Sequence, residues 1–146
     1  MKNRYLYFLK VVVIFFCMVV ESVSLENEIV FNTIEIQISD NGNIINATNG
    51  DIFSKKHNIT INAKEFKYNK KLSILEANGD IELKNFNEGI VLKAQKIFYD
   101  IANETIEISD NIKIKNLNKS IGIKTQKIFY DIASDTIQSD TDSIIE

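Results

Sequence analysis

From Ile29 onward, apolar and polar residues alternate one for one in short runs. Ile34-Glu35-Ile36-Gln37-Ile38, Ile59-Thr60-Ile61, Ile81-Glu82-Leu83, Ile106-Glu107-Ile108, Ile112-Lys113-Ile114 and Ile121-Gly122-Ile123 all show it. Period-two alternation rich in β-branched residues predicts strands with one buried face and one wet face. Between the runs stand Asp40-Asn41-Gly42-Asn43, Asn49-Gly50-Asp51, Asn78-Gly79-Asp80, Ser109-Asp110-Asn111 and Asn116-Leu117-Asn118. Asn, Asp and Gly tolerate left-handed backbone and bond their own main chain, so these clusters predict turns. They recur roughly every ten residues, the spacing of an all-β sandwich, barrel or roll. No amphipathic helix is expected after the first 24 residues.

One peptide is written twice. Gln95-Lys96-Ile97-Phe98-Tyr99-Asp100-Ile101-Ala102 returns as Gln126-Lys127-Ile128-Phe129-Tyr130-Asp131-Ile132-Ala133, and a weaker copy, Ala63-Lys64-Glu65-Phe66-Lys67-Tyr68-Asn69, precedes both. The offset is 31 residues, and it also aligns Ala63 with Ala94 and Thr125, and Asp80 with Asn111 and Asp142. A fixed period of this length means one supersecondary unit stacked on copies of itself. Each unit needs its neighbours to complete a core. Within each copy the alanine (or Thr125) and the tyrosine are an odd number of positions apart, so on a flat strand they point to opposite faces. If both are buried, the strand bends or bulges between them, and corners in register fold the sheet over itself. If instead the strand runs straight, Ala94 and Phe98 face inward and Tyr99 is a surface aromatic. The Tyr-Asp pair is expected to end a strand and begin its turn.

The first residues have a different character. Lys2, Arg4 and Lys10 precede the apolar stretch Val11 to Val20, and Ser22-Val23-Ser24 supplies small residues at the −3 and −1 positions of a cleavage site. That is the secretory pattern, with residues 1–24 as signal peptide and 25–146 as one β-domain. The stretch is short of the ~20 residues that a spanning helix needs, although Tyr5 to Leu9 would lengthen it into an uncleaved anchor. Cys17, the only cysteine, lies in this segment and follows Phe16, where a lipoprotein signal has a small residue. Export without that segment leaves no disulfide, so the domain must rely on its apolar core. Cleavage after Ser24 would change 17 basic and 20 acidic residues to 14 and 19, a net charge of −5. No basic cluster survives in the sequence, which argues against nucleic acid as a partner.

Catalytic chemistry has no foothold. His57, in Lys55-Lys56-His57-Asn58, is the only histidine and has no cysteine beside it, so it is read as a solvated loop residue rather than a metal ligand. Asp100, Asp131, Asp110 and Glu107 recur with the repeat, whereas an acid–base pair needs two unlike environments. There is no phosphate-binding glycine loop and no nucleophile elbow.

The tandem pattern Ala-x-x-Ile/Phe-x-Tyr-Asp/Asn, followed by a spacer and Ala/Ser-x-Gly/Asn-Asp/Asn-Ile, resembles the OstA-type domain of the lipopolysaccharide-transport proteins. The matching segments are 63–83 and 94–114, with a fading copy at 125–145 and a degenerate one around 34–52. The resemblance implies an antiparallel β-jellyroll, an open, twisted roll of stacked strands with an apolar groove. It implies a non-enzymatic periplasmic carrier that binds lipid A acyl chains of lipopolysaccharide and stacks edge to edge with other jellyroll domains. No cofactor is implied. A separate bridge protein and the N-terminal domain of an outer-membrane assembly protein both fit. By alternation the groove candidates are Ile81, Leu83, Ile97, Tyr99, Ile106, Ile108, Ile112, Ile114, Ile128 and Tyr130, although at any single position ordinary core packing is the preferred reading. The rival class is a structural β-repeat, a solenoid or adhesin-like module with a filled core and no ligand. A secreted hydrolase lacks a candidate nucleophile.

Overall fold

A computed structural model describes residues 29–116, 121–140 and 144–145. The signal segment and Cys17 lie outside the described residues. Among the described residues nine strands form a single antiparallel sheet: β1 (Ile29–Ser39), β2 (Ile44–Ser54), β3 (Ile59–Asn69), β4 (Ile74–Asn85), β5 (Ile90–Asp100), β6 (Thr105–Asn116), β7 (Ile121–Asp131), β8 (Thr136–Ser139) and β9 (Ile144–Ile145). Each strand pairs with the next from β1 to β8, and β9 pairs with β7 beyond the end of β8. β8 and β9 thus occupy, on β7, the two halves of the place that β6 fills on β5. The only helix among the described residues is a 3-10 turn at Asp40–Gly42.

The strands are twice as long as the turn signals predicted, and the reason lies in their middles. Asn49-Gly50-Asp51, Asn78-Gly79-Asp80 and Ser109-Asp110-Asn111 were expected as turns, but they sit inside β2, β4 and β6. Asn49, Asp80 and Asn111 take positive φ values of 50°, 47° and 56° without ending the strand. Left-handed residues inside a paired strand make a bulge, which bends it. Register shifts at Asn62/Glu65, Asn78/Ile81, Lys93/Lys96 and Ser109/Ile112 place these bends in one line across β3 to β7. The repeated glutamine belongs to this corner: Gln95 Oε1 accepts from Asp80 N–H at 3.4 Å, and Gln126 Oε1 from Asn111 N–H at 3.5 Å. In the earlier copy Lys64 stands at the glutamine's place and pairs with the Asp80 carboxylate at 2.5 Å.

The bend inverts the facing of the odd-numbered strands. In β5 the buried residues are Ile90, Leu92 and Ala94, then Ile97 and Tyr99. Tyr99 is fully buried while Phe98 is 41 % exposed, so the straight-strand alternative is excluded. The same shift separates Ala63 from Phe66, and Thr125 from Ile128. The turns that follow the Tyr-Asp pairs agree with the sequence reading, while the expected turn at Asn116-Leu117-Asn118 runs outside the described residues. Asp100 ends β5 and accepts the Asn103 N–H at 3.0 Å, and Asp131 ends β7 and accepts the Ser134 N–H at 3.0 Å. Those bonds, the backbone one to Asn103 first, hold the Asp100 carboxyl below the ordinary aspartate range.

Candidate functional site: the interior of the roll and its seam

Past the corner, the inward residues of successive strands lie directly opposite one another. One row runs Ile36, Ala47, Phe66, Ala77, Ile97, Ile108, Ile128 across β1 to β7. The next runs Ile38, Ile45, Tyr68, Leu75, Tyr99, Ile106, Tyr130. Before the corner, Phe31, Ile52, Ile61, Leu83, Leu92, Ile114 and Ile123 form the matching row of the other half. These are side chains of one sheet face, since opposed residues share a face.

The two halves close on each other. Ser54 and Tyr99 stand at opposite ends of strands three places apart, which a flat sheet would hold roughly 35 Å apart. Instead Ser54 Oγ and Tyr99 Oη are 3.3 Å apart. One repeat later, Asn85 Nδ2 donates to Tyr130 Oη at 2.7 Å. Both contacts span 45 residues. The result is a two-layered roll, hinged by corners along one side and meeting turn to turn along the other. The ten groove candidates all lie between the layers, and all are buried.

Each closing contact is a polar rung across this seam. In the first, the Tyr99 hydroxyl is hydrogen bonded to His57 Nδ1 as well as facing Ser54. His57 Nε2 lies 3.4 Å from Glu104 Oε1, within ion-pair range but without hydrogen-bond alignment. Lys56 reaches the same carboxylate oxygen at 2.7 Å. That contact, followed by His57, holds the Glu104 carboxyl below its ordinary range. In the second rung, the Tyr130 hydroxyl donates to Asp135 Oδ1 at 3.1 Å while accepting from Asn85. Burial, and then the Asp135 carboxylate, push the Tyr130 hydroxyl far above the usual tyrosine range. A phenol held in this way stays protonated and remains a donor. Ser54 and Asn85, Tyr99 and Tyr130, and Glu104 and Asp135 are each 31 residues apart, so the rungs repeat with the sequence.

His57 is therefore not the solvated loop residue expected from its neighbours. It is 7 % exposed, covered by the layer that carries Tyr99. Its lysine-rich surroundings in sequence give no sign of this, because the covering residue comes from 42 positions away. Among the described residues no group of three or more His, Cys, Asp and Glu side chains is placed to hold a metal ion.

The interior is not covered equally at its two ends. No described residue lies 45 positions before the end of β1, at Ile36 and Ile38, or before the start of β2, at Ile45 and Ala47. There Ile36 and Ile38, members of the inner rows, are 48 % and 63 % exposed. Phe31 and Tyr68, with ring centroids 6.2 Å apart, form the last cross-layer aromatic contact at this end.

Comparison with solved structures identifies the architecture. The chain superimposes on LptH from Pseudomonas aeruginosa, described as the LptA-homologous periplasmic component of the conserved lipopolysaccharide transport device, with a TM-score of 0.61. The chain has an LptA-like fold. The match covers 81 % of this chain and 92 % of LptH at 14 % sequence identity, so the LptA-like likeness is one of fold. No family model matches the chain, and no curated relative matches it by sequence. The β-jellyroll that the resemblance implied is thus the fold observed.

Proposed function

We propose that this chain is a periplasmic carrier domain for lipopolysaccharide, taking acyl chains between its layers and stacking with similar jellyroll domains. The observation that carries the proposal is the continuity of the inner rows. A face buried at Ile97, Tyr99, Ile106 and Ile108 emerges from the roll at Ile36 and Ile38. An acyl chain entering there would be drawn along Ile81, Leu83, Ile112, Ile114, Ile128 and Tyr130 as well, leaving water at about 0.8 kcal/mol per methylene. The corner acts as a hinge, and the seam, held by hydroxyl and amide contacts, is the side along which the layers part.

Stacking uses the same end. Among the described residues β1 is an edge strand, 11 residues long, and no described strand pairs with its outer row of N–H and C=O groups. It lacks the prolines and dense lysines that ordinarily blunt such edges, and it carries Ile34, Ile36 and Ile38 exposed. Strand addition at β1 by the last strands of another jellyroll domain, or of a second copy, would extend the sheet and its inner rows together.

The structural-repeat reading has an observation of its own. The interior is filled, with all ten candidates packed out of solvent. Photo-crosslinking in cells that make lipopolysaccharide separates the two readings. A photoreactive residue replaces Ile112 inside the roll, with a control at Phe98 outside. Lipopolysaccharide adducts at Ile112 and not at Phe98 are expected. A folded protein without adducts at Ile112 would leave a structural array.

A further inference from the structure

Pairing of β5, β6 and β7 brings three lysines into one cross-strand row. Lys93 lies opposite Lys113, and Lys113 opposite Lys124, all on the outer face just before the corner. Lys115 is two residues on from Lys113 and on the same face. Like charges directly opposed on neighbouring strands oppose folding. The chain as a whole is acidic, at net −3, so composition does not account for the gathering.

A cavity of about 440 Å³ opens at this row, and its polar lining includes Lys93, Lys113, Asn62, Gln95 and Asn111. Two carboxylates, Asp80 and Glu82, also reach it. Both have cations of their own. Asp80 is held at 2.5 Å by Lys64, and Glu82 at 2.7 Å by Lys84 and more loosely, at 3.4 Å, by Lys93. Lys113 has no ion pair among the described residues, and its cross-strand neighbours on both sides are lysines. Gln95 uses its carbonyl oxygen on the Asp80 N–H, which leaves its amide group as a donor.

We propose that this cavity is a phosphate-binding site, with Lys113 and Lys93 as its cationic ligands and the Gln95 amide as a neutral donor. An ammonium group is a point charge suited to a tetrahedral oxyanion, and charge-assisted hydrogen bonds are the strong ones. A phosphate seated here relieves the lysine repulsion at the same time. The lysines stand on the outer face of the roll, while Ile81 and Ala94, which also line the cavity, belong to the buried core. Its phosphate belongs either to a lipid headgroup at a membrane surface or to a soluble phosphate ester.

The test uses the full chain in two arms at low salt, because screening weakens exposed ion pairs. In the first, inorganic phosphate is titrated and backbone amide NMR shifts are followed. Saturable shifts centred on Asn62, Lys93, Gln95, Asn111 and Lys113 are expected, with affinity lowered about tenfold by Lys113→Gln, the scale of one hydrogen bond to a charged group. Lys127→Gln, at a lysine already 2.9 Å from Glu107, should leave the titration unchanged. Non-saturating shifts, or saturation indifferent to Lys113→Gln, would overturn the proposal. In the second arm, flotation with phosphatidylglycerol vesicles is compared with phosphatidylcholine vesicles. A preference for phosphatidylglycerol that Lys113→Gln removes assigns the phosphate to a lipid headgroup. Phosphate binding without that preference assigns it to a soluble ester.

Discussion

Tyr99→Phe tests whether the seam is held by its polar rungs or merely touches there. The substitution keeps a fully buried ring in place and removes one oxygen. That oxygen is bonded to His57 Nδ1 and faces Ser54 Oγ at 3.3 Å, and both residues are buried. Removing one partner of a buried hydrogen bond leaves the other desolvated and unpaired, at a cost of about 1–3 kcal/mol. Tyr130→Phe should cost less. Only one buried group, Asn85 Nδ2, loses its partner there, because exposed Asp135 rehydrates, whereas Tyr99→Phe strips both His57 and Ser54. With a urea dependence of about 1.5 kcal/mol per molar, a loss of about 1.5–2 kcal/mol moves the unfolding midpoint down by about 1 M. The assay is equilibrium urea unfolding of wild type, both single variants and the double variant. If Tyr99→Phe moves the midpoint by less than about 0.2 M, the rung contributes no more than surface contacts do and the reasoning fails.

Ile97→Ala should cost about 2–5 kcal/mol and Phe98→Ala no more than about 0.5 kcal/mol, measured by the same unfolding; equal losses would contradict the assigned facing of β5. At Gly50, an added Cβ would stand 2.2 Å from Asn32 O and 2.6 Å from Thr33 Cα, so Gly50→Ala should unpair β1 from β2 locally. Accelerated hydrogen exchange in residues 29–39 checks this, and Gly42→Ala, with open space around its Cβ, serves as the comparison. The Glu82 carboxyl is held below its ordinary range chiefly by its hydrogen bond to Lys84, with Lys93 adding to it. Its contribution is therefore complete above the unfolded-state value near 4.5 and disappears as pH falls through the lower folded-state value. Glu82→Gln should flatten the acid limb of a plot of stability against pH and leave its slope above pH ~6 unchanged. On the proposed stacking through β1, wild type is expected to self-associate in sedimentation, and Ile36→Ser/Ile38→Ser to abolish this while shifting the urea midpoint little, since neither residue is buried.

The inner face was legible in the sequence because alternation fixes which residues share a side. The ten residues assigned to that face, from Ile81 to Tyr130, are buried. The bend was legible too, from the odd spacing of Ala94 and Tyr99. What pattern alone could not decide was the meaning of Asn49-Gly50, Gly79-Asp80 and Asp110-Asn111. A left-handed pair ends a strand in a hairpin and bends it in a bulge, and only pairing on both sides distinguishes the two. His57 and the lysine row were hidden for a related reason. His57 is covered by a residue one and a half repeats away, and Lys93, Lys113 and Lys124 are neighbours only after β5, β6 and β7 have paired. The glutamines of the repeated peptide carried a detectable signal, since both copies keep them, yet their bond to the corner N–H depends on the bulge.

Exposure at the β1 end follows from the way the layers are staggered. A repeat that closed upon itself would bury its own second half and leave a sealed unit. Here Tyr99 and Tyr130, past the corner, pack against Ser54 and Asn85, which lie before it and 45 residues earlier, so closure draws on residues about one and a half repeats back. In such an array the leading second half has nothing to draw on among the described residues, and its inner residues, Ile36 and Ile38, stand in solvent. The remedy for an uncovered repeat is a polar cap or another repeat. Isoleucine at these two positions, opposite buried Ala47 and Ile45, is what a further repeat would require and what a cap would replace. The stagger therefore couples the two parts of the proposed function: on that proposal, the surface that takes another domain is also the surface through which a lipid would reach the interior. A lipid passing along the inner rows would meet no polar boundary between one domain and the next.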